Sequence, residues 1–281
     1  NSGFEFDLNV KLIQKKDWYW DMSVNGYTYA NKMLNLPDEY KVSGMPNGNQ
    51  RIYEGKDIYR WEMRQFAGLD EKGNSLWYMD RDLTDGEGNV VGVEKVTTGD
   101  ATEATQYLLE KSALPDFTGG LNTTLRWKSL DLTIMTNFQF GGYGYDYDFS
   151  AFSSANFPMN RLKNYADAWN PETGKGSAPI WNTNDSNINA SSDRFLISNT
   201  YFNLRNITLG YTFPAGWMSK IGIKSARIYF ACDNVFFASK RKGYDPRTSM
   251  GGQGATIALN SVDGTYYSPI RTTSVGLNIN F

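Results

Sequence analysis

Apolar and polar side chains alternate with a period of two from the beginning of the chain. The first alternating segment has one apolar face, Phe4, Phe6, Leu8, Val10 and Leu12, and one polar face, Glu5, Asp7, Asn9 and Lys11. This period predicts a β-strand over residues 3–13. A polar turn at residues 14–17 precedes a second alternating segment that begins at Trp18. The two segments therefore predict a β-hairpin.

The same alternation predicts two further strand pairs and a last strand. The ranges are 121–127 with 130–140, 207–213 with 226–232, and finally 275–281. The connection of the third pair is expected at residues 214–222. The pattern as a whole predicts an all-β, antiparallel fold with about seven strands.

Short and long connections alternate along the chain. Those within the predicted pairs have about two to nine residues, and those between pairs have about 30 to 85. A barrel of the bacterial outer membrane shows this asymmetry because its periplasmic turns are short and its extracellular loops are long. A soluble β-sandwich has the same period, but nothing in that fold collects every long connection at one end. We therefore predict a transmembrane β-barrel with long extracellular loops.

About seven strands cannot close such a barrel, because a single-chain bacterial barrel has an even number of strands, at least about eight. The apolar phase is expected to face lipid and the polar phase the lumen, since a one-residue slip would move Glu5, Asp7 and Lys11 into hydrocarbon. We expect earlier strands to be missing on the N-terminal side, so that residues 1–281 form only the C-terminal part of the barrel.

Composition excludes several kinds of site and partner. Histidine is absent and Cys232 is the single cysteine, which excludes a Cys/His zinc site and a Ser-His-Asp or Cys-His catalytic arrangement. A net charge of −2 gives no basic surface for nucleic acid. No run of about 18 apolar residues predicts a transmembrane helix. No secretion signal follows Asn1, so we expect either a signal that was removed or a start within a longer protein.

Several segments resemble the SusC/RagA family of TonB-linked outer-membrane proteins. Residues 114–120 (LPDFTGG) and 127–132 (WKSLDL) resemble that family's LPxFxGG…YKGFDL hairpin, with matching spacing. Residues 191–196 (SSDRFL) and 201–211 (YFNLRNITLGY) resemble its SxRFL…YLRLKNITLGY segment. Further segments resemble its closing strands in the same order, namely 226–229, 233–235, 243–247, Pro269, Arg271 and 275–281.

The resemblance covers residues 1–281 and implies the C-terminal part of a roughly 22-stranded barrel in the bacterial outer membrane. It implies that an N-terminal plug domain, earlier strands and the segment that contacts the TonB complex are absent from this chain. It also implies a SusD-like surface lipoprotein as a lid over the long loops, and import of glycans or, less often, peptides. Residues 79–89 depart from the Asp/Asn/Gly-rich loop of such relatives and miss the EF-hand spacing by one position. We therefore expect no metal, and no cofactor is predicted.

A cluster of tyrosines and aspartates follows the strand at 130–140, which would run outward. Its members are Tyr143, Tyr145, Asp146, Tyr147 and Asp148. Aromatic rings can stack on sugar faces and carboxylates can accept hydrogen bonds from hydroxyl groups, so these residues are substrate-facing candidates. The alternative is an aromatic girdle at the membrane interface.

Aromatic residues in the two longest loops are candidates to contact a lid subunit or a substrate, against the alternative of packing within the loops. They are Trp61, Trp77, Tyr78, Trp169 and Trp181. The resemblance implies that Phe281, at the end of the last strand, is read by the barrel-assembly machinery. The alternative for Phe281 is an ordinary aromatic contact with lipid at the interface.

These patterns predict active import across the outer membrane, carried out by binding and gating without an enzymatic step. The expected partners are the lipoprotein, the TonB complex, the rest of the same receptor, outer-membrane lipid and the barrel-assembly machinery. Two alternatives stay open. One is a soluble or surface all-β carbohydrate-binding module, and the other is a fragment of a secreted glycoside hydrolase, for which Asp80 and Asp82 would be the carboxylate pair.

Overall fold

The computed structural model describes residues 1–153, 163, 167–182, 185, 187–188, 190–240, 242, 244–248 and 269–281. With strands numbered along the chain, the largest sheet contains β1 (Ser2–Gln14), β2 (Trp18–Ala30), β10 (Phe117–Trp127), β11 (Leu130–Phe140), β14 (Tyr201–Thr212), β15 (Ser225–Ser239) and β16 (Thr272–Asn280). The shorter strands are β3 (Met45–Asn47), β4 (Gln50–Ile52), β5 (Arg60–Arg64), β6 (Phe66–Leu69), β7 (Ser75–Thr84), β8 (Val90–Thr98), β9 (Gln106–Ser112), β12 (Tyr143–Tyr145) and β13 (Leu196–Ser198).

Helical structure is limited to short pieces in the described ranges. They are α1 (Tyr147–Ala151), α2 (Ala215–Met218) and 3-10 turns at Asp38–Tyr40, Asp193–Phe195, Ser219–Ile221 and Pro246–Thr248. None of the helices that the structure describes is long and apolar enough to cross a membrane. Gly243, which belongs to one of the segments of resemblance, lies outside the described residues.

Seven strands form one antiparallel sheet within the described residues, in the order β1-β2-β10-β11-β14-β15-β16. The predicted strand number and the all-β, antiparallel class are confirmed. Each strand pairs with the next barrel strand along the chain. In the described part of the chain this sheet is open, with β1 and β16 at its two edges.

The register of the sheet produces one apolar and one polar face, as the alternation predicts. One row of paired apolar residues crosses six strands: Trp20, Leu125, Leu132, Leu209, Phe230 and Val275. The neighbouring row on the opposite face is Tyr19, Arg126, Asp131, Gly210, Tyr229 and Gly276. Because side chains alternate in a strand, the apolar row suits lipid and the polar row suits a water-filled lumen.

All short connections lie at one end of the sheet and all long ones at the other, as predicted. The short ones are residues 15–17, 128–129 and 213–224. The third is longer than expected because Pro214 precedes a helical turn, α2, which the left-handed Gly222 ends at φ 76°. In the two-residue turn, Lys128 has φ 52°, and its N–H donates to the Asp17 carbonyl of the neighbouring turn at 2.8 Å.

The first long connection, residues 31–116, is folded and not an irregular loop. It forms a four-stranded sheet, β3-β4-β5-β9, and a three-stranded sheet, β6-β7-β8. Residues 141–151 and 190–200 pack against it through shared clusters of buried side chains. We call these three segments together the cap. The sequence predicts a loop at residues 79–89, and this is wrong for residues 79–84, which lie on β7, whereas only residues 85–89 form the turn to β8.

Candidate functional site

The tyrosine cluster follows a sharp reversal at the outer end of β11. Gly141 and Gly142 both have left-handed backbone conformations, with φ of 75° and 74°. A Cβ on Gly141 would lie 2.0 Å from Asp116 Oδ2, and one on Gly142 would lie 2.9 Å from the Ala113 carbonyl oxygen. These two glycines therefore fit where side chains cannot. The reversal allows β12 to pair with β13, at the end of the sheet where the sequence places the cluster.

Tyr145 and Asp146, two of the substrate-facing candidates, are buried inside the cap. They are 3% and 2% exposed. The Tyr145 hydroxyl donates to Ser150 Oγ at 3.1 Å, and the Phe149 N–H donates to Asp146 Oδ1 at 2.9 Å, which caps α1. The Tyr145 ring also makes edge contacts with Tyr147 and Phe195, at centroid distances of 4.6 and 5.9 Å.

The remaining members of the cluster differ in how much surface they keep. Tyr143 and Tyr147 are half-buried, and Lys111 Nζ lies 5.3 Å from the centre of the Tyr143 ring. Burial raises the pKa of both Tyr145 and Tyr147, so their phenols stay neutral at physiological pH. Asp148 lies in α1, and its side chain is outside the described part of the structure. Contact with substrate stays a prediction, and Tyr143 and Tyr147 keep more exposed surface than Tyr145 and Asp146.

Trp61 and Trp77 form the centres of the two buried clusters of the cap. Trp61 packs with Met63, Leu109, Ala113, Tyr145 and Phe195. Its indole N–H donates to the Tyr143 carbonyl oxygen at 3.0 Å, which joins the first long connection to the tyrosine cluster. Trp77 packs with Ala101 and Ala104, and Phe66 lies against it edge-on at 5.4 Å. Both indoles are fully buried, so any effect of theirs on a lid or a substrate would be indirect.

Tyr78, Trp169 and Trp181 lie nearer the surface. Lys95 Nζ lies 4.4 Å from the ring centres of both Tyr78 and Tyr107, which is a cation–π contact on two sides. The Trp169 ring packs directly on Gly73, where a Cβ would come within 2.2 Å of it. Trp181 is 48% exposed. Contact with a lid stays a prediction for all five loop aromatics, and Trp181 has the most surface to offer.

Asp80 and Asp82 project from the same face of β7, because they are two residues apart on a strand. The Tyr107 hydroxyl donates to Asp80 Oδ1 at 2.6 Å. Burial and this hydrogen bond raise the pKa of Tyr107 to about 12. At the following turn, Asp85 Oδ1 accepts backbone hydrogen bonds from Glu87 and Asn89, both at 2.9 Å. Asp85 therefore holds the turn of the hairpin together, and Asp80 joins the hairpin to β9.

The SSDRFL segment, residues 191–196, connects the two clusters of the cap. The Arg194 guanidinium lies 5.2 Å from the ring centre of Phe66 in one cluster and 5.3 Å from that of Phe195 in the other. The Phe66 N–H donates to Asp193 Oδ1 at 2.9 Å. Sequence reasoning found this motif by resemblance alone and assigned no role to it. The feature that indicates its connecting role is Arg194 between two aromatic rings, of which Phe66 lies more than a hundred residues away in the sequence.

A second set of polar residues lies where the lumenal face of the sheet meets the cap. Asn137 and Asn203, on β11 and β14, are hydrogen-bonded to each other through their side chains at 2.7 Å. Tyr244 donates from its hydroxyl to Asn199 Oδ1 at 2.7 Å, and Arg247 binds Asp245 through Nε at 2.8 Å. Arg247 also lies 4.4 Å from the ring centre of Phe237. Residues 244–247 are thus held against the inner wall of the sheet.

One group of exposed apolar residues of the cap lies on the hairpin of β7 and β8. They are Leu83, Val90, Val91 and Val93. Their role was not predicted from the sequence, although the run Val90, Val91, Val93 beside an Asp-Gly turn is visible there. Phe281 is 78% exposed and follows β16 directly, at the end of the sheet with the short connections. Its role as an assembly signal stays a prediction.

Comparison with known proteins gives a consistent result. No protein-family model matches the chain. It is 24% identical over 302 residues to TonB-dependent receptor P3 of Formosa agariphila, which covers 100% of this chain and 28% of that receptor. It is 25% identical over 288 residues to TonB-dependent receptor SusC of Bacteroides thetaiotaomicron, covering 100% of this chain and 26% of SusC. The chain therefore spans little more than a quarter of the length of these relatives.

Solved structures show the same fold. The RagAB peptide transporter matches 99% of this chain with a TM-score of 0.76 and 24% identity, and the match covers 29% of that protein's chain. The RagAB peptide importer in the "closed-closed" state matches with a TM-score of 0.75 and the same coverage. The predicted resemblance to SusC/RagA-type receptors, the fold class and the outer-membrane location are confirmed. Over its whole length, the chain is similar to part of the outer-membrane β-barrel of TonB-dependent receptors of the SusC/RagA type.

Proposed function

We propose that this chain is the C-terminal part of the barrel of a nutrient importer that is energised through TonB. The observation that carries this proposal is the seven-stranded sheet with one apolar and one polar face, whose long connections fold into a cap at one end. An apolar outer face and a polar lumen are what a transmembrane barrel requires. The similarity to TonB-dependent receptors over the whole chain supports the same function.

Import in this scheme depends on binding and gating and requires no covalent chemistry. The cargo binds between the lumenal face and the cap, and energy from TonB acts on a plug domain in the rest of the receptor. We propose a glycan as the cargo, with a peptide as the second candidate, since RagAB is described as a peptide transporter. The partly exposed rings of Tyr143 and Tyr147 support a glycan, because ring faces can stack on sugars.

A SusD-like surface lipoprotein is the proposed lid. Its contact surface on this chain is the exposed apolar part of the β7–β8 hairpin, together with the exposed Trp181. Trp61 and Trp77 support the cap from inside, since both are fully buried. The barrel-assembly machinery and outer-membrane lipid are the other proposed partners, at Phe281 and along the apolar face.

The test of the proposal is cargo binding and uptake by the full-length receptor with Tyr143→Ala. We expect weaker binding of oligosaccharides, because one half-buried ring with a face that can stack on sugar is removed, with no change for unrelated peptides. Trp217→Ala is the matched control, since Trp217 is an exposed aromatic in the connection at the opposite end of the sheet. Binding of peptides alone, or equal loss in both variants, would contradict a glycan site at the cap. Uptake that continues without TonB would contradict the import mechanism.

A further inference from the structure

An apolar groove opens on the outer face of the sheet, at its extracellular end. Phe138, Phe140, Phe202 and Ala238 line it from the apolar phase of β11, β14 and β15. Phe138, Phe202 and Ala238 are directly paired across the three strands. The small side chain of Ala238 leaves space beside two phenylalanine rings. The groove therefore continues the surface that contacts lipid and does not face the lumen.

The upper rim of the groove is polar and positively charged. Ser198, Thr200, Tyr201, Ser239 and the exposed Lys240 complete the lining, at the outer ends of the strands. The volume is about 350 Å³, at the lower end of the range of about 300–1,000 Å³ for ligand sites. An occupant must therefore have an apolar part that lies along the strands and a polar, preferably anionic, part at the rim.

A second groove on the same face provides an internal comparison. Its lining includes Leu130, Leu209, Tyr211, Ile228, Phe230 and Val275, near the end of the sheet with the short connections. It has about 230 Å³ and no lysine, serine or threonine in its lining. Both grooves can accept an acyl chain, but only the one with Lys240 also offers a cation to a head group.

We propose that the groove at Phe138, Phe202, Ala238 and Lys240 is a binding site for an acylated, phosphorylated lipid of the outer leaflet. The acyl chain lies between the phenylalanine rings, and the Lys240 ammonium contacts the phosphate, with the Thr200 hydroxyl as a hydrogen-bond donor. Three features support this occupant: continuity with the lipid-facing surface, charge complementarity at the rim, and a depth where head groups begin. The site rests on the membrane placement of the sheet and is independent of the imported cargo.

The test uses the full-length receptor purified in detergent, with diphosphorylated lipid A as the probe and native mass spectrometry as the readout. Ala238→Trp fills the groove, and Lys240→Gln removes the charge without changing the length of the side chain greatly. We expect Ala238→Trp to lose most of the retained lipid A and Lys240→Gln to retain about fivefold less, the effect of one basic residue near an anionic lipid. Leu209→Trp, in the second groove, is the control and should retain as much as the unchanged receptor.

The outcomes separate a specific site from the general layer of lipid around a barrel. Equal retention in all variants, or equal loss in Leu209→Trp, would overturn the proposal, because lipid would then bind without regard to the groove. Equal retention of a diacylglycerol without phosphate would overturn the role of Lys240. Gel mobility before and after heating shows that each variant is a folded barrel. Cargo uptake is measured on the same variants as a separate readout. A failure of the transport proposal can then be told apart from a failure of the lipid-site proposal.

Discussion

Gly210 lies on the lumenal face of the sheet, between the two members of an ion pair. Arg227 reaches across it to Asp131, with Nε 3.2 Å from Oδ1, and both side chains are partly buried. A Cβ at position 210 would lie 2.2 Å from Arg227 Nη2 and 2.6 Å from both Asp131 carboxylate oxygens. The ion pair therefore requires a residue without a side chain between its two members.

We predict that Gly210→Ala separates this ion pair and lowers the free energy of unfolding of the full-length barrel by about 1–3 kcal/mol. The measurement is the urea midpoint of the folded receptor, followed by gel mobility or tryptophan fluorescence. Gly86→Ala is the control, because a Cβ there has no atom within 4 Å and should change stability very little. Equal midpoints for both variants would contradict the assigned role.

Tyr107 gives a prediction on pH dependence. Its pKa in the folded protein is raised by burial and by its hydrogen bond to Asp80, to about 12 from an ordinary value of 10.0. Because the folded-state pKa is higher, the stabilising contribution is complete below pH 10 and is lost as the pH rises towards 12. Subtracting the phenolate absorbance titration of Tyr107→Phe from that of the unchanged receptor should leave one group that titrates near pH 12. A difference curve centred near pH 10 would show that the hydrogen bond is absent in solution.

The sequence located the candidate residues correctly along the chain but could not show which of them are buried. Tyr145 follows the outward strand β11, as predicted, yet its ring is covered by Phe195, fifty residues further along the chain. Trp61 is buried through residues of β9 and the tyrosine cluster. A period of two reports which side chains share a face of one strand, but it does not report what later segment packs on that face.

At the scale of elements, the same difference separates the barrel strands from those of the cap. Each barrel strand has a run of alternation long enough to be recognised alone, because lipid on one side and lumen on the other impose it. The outer part of β7, with Asp80, Arg81 and Asp82 in succession, has no such run. It is a strand because it pairs with β8, where Lys95, Glu94 and Val93 lie opposite. Strand structure that depends on pairing with another segment cannot be recognised in the sequence of either strand alone.

The β7–β8 hairpin is expected to be the part of this chain that the lipoprotein lid contacts. We predict that Leu83→Ser combined with Val91→Ser weakens binding of the full-length receptor to its SusD-like lipoprotein by about tenfold or more, since two exposed apolar contacts are lost. The Kd can be measured with the receptor in detergent and the lipoprotein immobilised.

The control for the hairpin is a second pair of exposed apolar residues in the same cap, away from β7 and β8. Leu34 and Val42 are 80% and 94% exposed, so Leu34→Ser with Val42→Ser removes a similar amount of apolar surface. If this control pair reduced lid binding as strongly as the hairpin pair, the hairpin would have no special part in the contact. An unchanged Kd in the hairpin variant would also contradict the proposed surface.

At the scale of the whole molecule, the direction of the strands determines at which end of the sheet the cap lies. In the described residues, the short connections at one end contain α2 and the 3-10 turn that follows it, and no other helix or strand. The long connections at the other end bury Trp61 and Trp77 in clusters of their own. The proposed import uses this polarity, with the cargo entering from the side with the cap and the last strand ending on the opposite side.

Phe281 allows the two roles considered for the last residue to be separated. Ile279 lies two positions earlier on the same apolar face, paired with Ala226, so it shares the lipid contact but is not the terminal aromatic. We predict that Phe281→Ala lowers the amount of full-length receptor assembled in the outer membrane several-fold, while the assembled fraction keeps its urea midpoint. Ile279→Ala should leave the assembled amount nearly unchanged. It should lower the free energy of unfolding by about 1 kcal/mol or less, because neighbouring side chains cover each residue of this face only partly and lipid contacts the rest. If both variants lowered assembly equally, Phe281 would be an ordinary lipid contact, and recognition by the assembly machinery would have to depend on the strand as a whole.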